Sequence, residues 1–459
     1  MRRIKKLVMC SPGDDGYIDY GSSIVNIVKY TSRDKKVLRR AIKPKIGSGR
    51  FDVAAVQAAR LITHEYTHYL DLTTTVWGLE FIVRRNLAYQ AIDAGADIES
   101  KAVEVAMLNY AEILMHKGLV KVYGHVPIED VVTKHSLSRN EKYGTIIMIH
   151  LMKGEGRIAD VPVSMLSLLE ANAVANELMG EALWIERVFG EVSSFHKNRI
   201  SSNLDSIMKN VNALEYNAFH LLVVIHFPRL TIFDRLRLVG AVADFALNIS
   251  GMHLSHVANT IFRSILNSTL RNALCNELCR GMSRQVVAFK VLLFIYQYTQ
   301  ENELSDEGVS EKLKSPLELI CSALQYFGCD LQAVNVRSMS DFEYCFSVSM
   351  LRGLRRKFEP AGHVEAMLRN RRARKNTVFI SEKFGFFKLP DLYLFDDKYF
   401  KMPNRQRFNL WSYYESIYDV YRQLNKFMND PDRFRKQQLP LGFGPMDYLQ
   451  NSRGEDQVD

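Results

Sequence analysis

His64, Glu65 and His68 are the residues whose types and spacing most directly imply chemistry; they stand in the run His-Glu-Tyr-Thr-His. On a helix, residues four apart share a face, so both imidazoles reach one metal ion. Glu65 then stands beside the ion's open position, where a carboxylate takes a proton from water. The preceding run, Val53 to Ile62, is rich in Ala and free of Gly and Pro, which favours helix. Val56, Ala59, Ile62, Tyr66 and Tyr69 recur at helical spacing. Three ionisable groups on so apolar a helix need compensation, because unpaired buried charge is costly. A zinc ion is the expected compensation.

A catalytic zinc takes three protein ligands and keeps a fourth position open. The third ligand is sought on an element that packs against the motif helix. Glu170 and Glu177 are seven residues apart and share a helix face. Ala171, Ala173 and Ala175 leave little bulk around Glu170, so another helix can approach it closely, and Leu168 and Leu169 supply an apolar anchor. Glu99, 31 residues after His68, and Glu104 are rivals for the third position. Asp71, three residues after His68, is a further one, but its place on the motif helix suits it better to orienting an imidazole through the second ring nitrogen.

The HExxH run together with a separate helix of the form E-x-x-A-x-x-x-E resembles the gluzincin class of zinc metallopeptidases. Glu170, Ala171, Ala173 and Glu177 match the glutamate, the small residue, the alanine and the second acid of that pattern. The longer run from His64 to Gly78 is similar to uncharacterised bacterial HExxH proteins. The resemblance covers the two helices only. It implies that His64, His68 and Glu170 bind Zn2+, that Glu65 is the general base, and that a peptide or protein is the substrate. The chain departs from the class in placing Glu170 102 residues after His68, where a few tens are usual. The metzincin pattern fails, because Asp71 and Thr74 stand where it has Gly and His or Asp. Candidates for stabilising the oxyanion are His150, Tyr216, His220 and His226, among which the sequence does not choose.

A second chemistry competes. The net charge is +9, and the segment from Leu351 to Asn376 holds nine Lys or Arg against two Glu. Arg355, Arg356, Lys357, Arg369, Arg371, Arg372, Arg374 and Lys375 form a basic patch suited to nucleic acid or an acidic protein partner. In that reading the HExxH site is structural or inactive. His253 and His256 lack a nearby acid and read as core or capping histidines. The six cysteines, Cys275 and Cys279 included, are too sparse for a disulfide scaffold and fit a reducing compartment.

The elements that must position these groups are mainly helical. Hydrophobic content of 47% and charged content of 24% belong to a globular chain. No apolar run is long enough to span a membrane, and the N-terminus does not read as a secretory signal, so a cytoplasmic protein is expected. The expected class is α+β and predominantly α-helical, with a zincin-like core. Residues 1–50 form an N-terminal β-containing region, in which Ser23 to Tyr30 and Val37 to Ile42 are β-compatible. Residues 51–190 form the catalytic core with a long insertion, including a strand at Gly144 to His150 and a helix from about Val163, with Asp160 as cap and Pro162 in its first turn. Residues 191–300 are helical. Residues 301–459 are a mixed basic region, opening on a polar linker at 301–310, with β-like Thr377 to Ile380 and Phe386 to Leu389 and a disordered tail after Asn451.

Overall fold

The computed structural model describes residues 10, 11, 13–94, 100–123, 131–140, 143–263, 265–354, 356–375 and 377–429. The chain starts with strands β1 (Gly16–Asp19) and β2 (Ile24–Ile27), a 3-10 turn and helix α1 (Lys35–Ile42). The segment Val37 to Ile42, expected to be β-compatible, is therefore helical. Leu38 and Ala41 are its buried residues, a three-residue spacing that fits one helix face, and they meet α2.

Helix α2 (Val53–Thr74) carries the HExxH run, and α3 (Val76–Ala94) and α4 (Ser100–Leu119) follow. The Asp52 side chain caps α2 by accepting the Ala55 N–H. From Ile62 to Thr74 every residue of α2 is buried, so the helix runs through the interior with no solvent face. Thr67, Thr73 and Thr74 hydroxyls return to carbonyls four residues back, which satisfies them inside the core.

Next comes an antiparallel sheet of β3 (Lys121–Val122), β4 (Val132–Asn140), β5 (Gly144–Lys153) and β6 (Gly156–Pro162), in the order β3-β6-β5-β4. Only β5 was anticipated. β4 is largely exposed, so it lacks a clear apolar alternation. Helix α5 (Met165–Phe189) starts later than expected. Asp160 and Pro162 belong to β6, and Ser164 caps α5 reciprocally with Ser167. Gly190, at φ 86°, closes it in the left-handed conformation.

A helical array follows: α6 (Ser194–Met208), α7 (Leu214–His226), α8 (Ile232–Asn248), α9 (Gly251–Ile261), α10 (Ser268–Cys279) and α11 (Arg284–Glu301). The polar stretch 301–310 is mostly helix rather than linker, because Ser305 caps α12 (Asp306–Lys312) and Val309 is buried. Then come α13 (Pro316–Tyr326), α14 (Ala333–Gly353) and α15 (Ala361–Arg374). The β-like runs near 377–389 are instead a 3-10 segment over Ile380–Phe386 and irregular chain, with Leu389 alone in a parallel bridge to Arg405. The Ile380 N–H goes to the Asn176 side chain on α5 rather than to a strand. Strands β7 (Leu392–Leu394) and β8 (Tyr399–Phe400) precede α16 (Leu410–Asn429). The tail after Asn451 lies outside the described residues.

Among the described residues the chain is thus mainly helical, with two small four-stranded sheets. β7 pairs in parallel with β2, so the first sheet, in the order β1-β2-β7-β8, joins the two ends of the described chain. One hydrophobic cluster runs from Ile18 to Met428 and draws on all four segments read from the sequence. Among the described residues, no single helix is long and apolar enough to cross a membrane.

Candidate metal centre

α2 and α5 pack against each other, and the alanines of α5 let the two backbones approach. This contact brings His64 and His68 of α2 to Glu170 of α5, which stands 102 positions after His68. Among the described residues, these three form the one cluster of three or more His, Cys, Asp or Glu side chains close enough to hold a metal ion. All three are buried. Glu170 Oε2 lies 3.1 Å from His64 Nε2 and 3.3 Å from His68 Nε2. Donors about 2.0–2.2 Å from a tetrahedral ion stand roughly 3.3–3.6 Å apart, so both spacings to Glu170 are near those of a zinc site, and all three donors lie within 4.8 Å of one another. The second oxygen of Glu170 and both ring nitrogens of His68 are buried without a hydrogen-bond partner. At 3.3 Å, His68 Nε2 is close to the carboxylate but not aligned as a donor to it. Buried polar atoms left in that condition fit a site built around a cation.

The charges agree. Burial opposes charge on His64, but hydrogen bonds to Glu170 and Glu177 outweigh it and hold the imidazole well above its ordinary pKa. Burial also opposes charge on Glu170, yet the two histidines pull its carboxyl down to about 2. The protein therefore stabilises positive charge at the point where the three side chains meet, which is what a divalent cation supplies.

Glu177 accepts a hydrogen bond from His64 Nδ1 at 3.0 Å. Arg60, one turn before His64, binds the other oxygen of Glu177, with Nη2 at 2.6 Å. Arg60 carried a signal that the sequence reading missed, since it stands four residues before a ligand-type histidine on the same helix face. Asp71, expected to orient an imidazole, hydrogen-bonds neither His64 nor His68. Its oxygens take hydrogen bonds from Arg374 Nη1 at 2.8 Å and from Asn172 at 2.7 Å. Glu99 and the side chain of Glu104 lie outside the described residues.

Glu65 is buried one residue from the cluster, and burial raises its carboxyl to about 7. Its outer wall is Gly16 of β1, where a Cβ would stand 2.9 Å from Glu65 Oε1. A cleft of about 420 Å³ opens onto the centre, with His64, Glu65, Gly16, Arg60 and Tyr216 in its lining. Of the four oxyanion candidates, Tyr216 lies there, its ring centroid 5.9 Å from that of His64. His150 lies on the second sheet between Ser136 Oγ at 2.8 Å and Asp160 Oδ1 at 2.7 Å. His220 donates to the Ala171 carbonyl, and His226 packs on Tyr296. His253 meets Ser250 at the cap of α9. Cys275 is half-buried and donates to a carbonyl of α9, while Cys279 is exposed.

The basic segment is not a continuous surface patch. Arg356, Lys357, Arg369, Arg372 and Lys375 are exposed, and Arg355 lies outside the described residues. Arg374 is buried, held between Asp71 and Asp244. Arg371 is half-buried over the Tyr344 ring and bonds Asp341, Ser340 and the Thr74 carbonyl. These two guanidiniums face inward because α15 packs on α2, whose Asp71 needs a buried counter-charge. Compared with family models, curated proteins and solved structures, the chain matches none, so the reading of the centre rests on its own geometry.

Proposed function

We propose that the chain is a zinc-dependent peptidase with a zincin-like core formed by α2, α5 and the first sheet. The observation that carries this is the meeting of His64, His68 and Glu170 in one buried group, with Glu65 beside it at the floor of a cleft. His64, His68 and Glu170 hold the ion. When bound, zinc polarises the scissile carbonyl and makes water more acidic. Glu65 takes the proton of the attacking water and passes it to the leaving amine. Glu177, braced by Arg60, holds the Nδ1–H of His64 and leaves Nε2 to face the ion. Burial and the neighbouring carboxylates push the Tyr216 pKa up, so its hydroxyl keeps its proton and donates to the developing oxyanion. Six free cysteines fit a reducing compartment, and we place the activity in the cytoplasm.

The test combines elemental analysis with hydrolysis of an unstructured protein such as casein. Wild type is expected to hold one zinc per chain, His68→Ala to lose it, and Glu65→Gln to keep it while losing hydrolysis by roughly a thousandfold or more. Undiminished hydrolysis in Glu65→Gln removes Glu65 as the base. No zinc uptake by wild type removes the whole reading.

A further inference from the structure

The basic run that ends α15 does not serve the metal centre, but it borders a second cavity. This space, about 600 Å³, lies between α8, α13, α14 and α15 and the turn after α15, and one side is open to solvent. Its size is that of a small-molecule site. Six cationic side chains line it: Arg237, Lys314, Arg337, Arg371, Arg374 and Lys375. Four carboxylates face them, and most are already engaged. Asp244 holds Arg374 and Asp341 holds Arg371. Glu382 accepts the Thr377 hydroxyl. Glu318 is exposed in the first turn of α13.

The remaining cations are poorly neutralised. Arg337 is exposed and has no carboxylate partner among the described residues. Lys375 reaches only the outer oxygen of Asp341, at 3.8 Å, and Arg237 reaches Asp234 at the same distance. Lys314 pairs with Glu311 at the open surface, where such a pair contributes little. α13 begins on the same wall: Ser315, Pro316, Leu317 and Glu318 line the cavity, and the Ser315 side chain makes no capping bond. The first turn of a helix favours negative charge, which adds to the cationic lining. Arg374 is fixed by the buried Asp71 and by Asp244, and Arg371 by the partly exposed Asp341, so this part of the wall is pre-organised.

We propose that this cavity binds a small phosphate-bearing anion, of the size of an inorganic or nucleoside di- or triphosphate. A pocket of this limited volume, bounded by four helices, suits a compact polyanion, whereas a nucleic-acid strand needs a long track of phosphate contacts. The site does not depend on the zinc reading, and its test does not use hydrolysis.

Inorganic triphosphate titrated calorimetrically into the full chain at low salt reads the site directly. The expected result is saturable binding of one triphosphate per chain, weakened at least tenfold in Arg337→Glu/Lys375→Glu, whose altered positions are both exposed. Arg337→Lys/Lys375→Arg keeps the charge and should keep the binding. Absence of saturable binding in wild type overturns the proposal, as does equal affinity in the charge-reversed variant. A single-stranded oligonucleotide run in parallel separates the two sources of phosphate. If it binds more tightly than triphosphate and with a steeper salt dependence, the surface residues Arg356, Arg369 and Arg372 are the anion site and the cavity is not.

Discussion

Gly16 has no side chain, and that is its contribution to the centre. Its missing Cβ leaves room for the Glu65 carboxylate, with the Asn26 carbonyl 3.1 Å away on the other side of the same point. Gly16→Ala therefore forces either Glu65 or β1 to move. Displacing a proton acceptor by a few tenths of an ångström to one ångström costs roughly ten- to a hundredfold in rate. The expected outcome is that loss in kcat, with zinc content by elemental analysis unchanged, because the atoms nearest that Cβ belong to Glu65 and Asn26 and not to His64, His68 or Glu170. Loss of metal in this variant would show that β1 supports the ligands rather than the base. Legibility varied sharply among residues of this one site. His64, Glu65 and His68 declare themselves by spacing, and Glu177 by its distance from Glu170. Gly16 carries no chemical type to read, and the Asp71–Arg374 pair joins positions 303 apart, which periodicity cannot reveal.

The motif helix was legible because its pattern and composition agree from Val53 onward. The elements around it were less so, for two reasons. Short runs such as Val37 to Ile42 suit strand and helix equally, and packing against α2 decides. Long-range pairing created others: β7 exists as a strand because β2 lies beside it. α7 shows what such packing does to a titratable group. His220 is buried against α5 and donates from Nε2 to the Ala171 carbonyl at 3.0 Å. Burial lowers its pKa to about 4, from an ordinary 6.5. On acidification the unfolded chain takes the proton first. The stability tied to the neutral ring is therefore complete above about pH 6.5 and is lost as pH falls toward 4, by about 3 kcal/mol. His220→Gln retains a donor for Ala171 and cannot titrate. Its unfolding free energy, measured in denaturant between pH 7 and 4, should fall less steeply than that of wild type, by up to one proton. Parallel curves would mean that His220 takes up its proton as readily in the folded chain.

The whole molecule is tied together more tightly than four successive segments imply. The first sheet needs β7 from beyond residue 390, α15 and α14 pack on α2 and α3, and the buried Asp71 of α2 depends on Arg374. Removing any one segment exposes part of the same core. The chain is therefore expected to unfold in one cooperative transition, with far-ultraviolet circular dichroism and tryptophan fluorescence giving coincident curves. Trp77 and Trp184 report the α2–α5 region, and Trp411 reports α16. The metal ligands sit at the middle of this unit, so chelation should move the entire transition rather than split it. Zinc at about a thousand times its dissociation constant stabilises by roughly 4 kcal/mol. With an unfolding entropy of about 2 cal/mol/K per residue, a chain of 459 residues then loses roughly 4 °C in Tm when the metal is removed. Two separated transitions, of which only one responds to chelator, would show instead that the centre belongs to an independent domain. The ion pair between Asp71 and Arg374 would then be a contact between domains and not a strut within one.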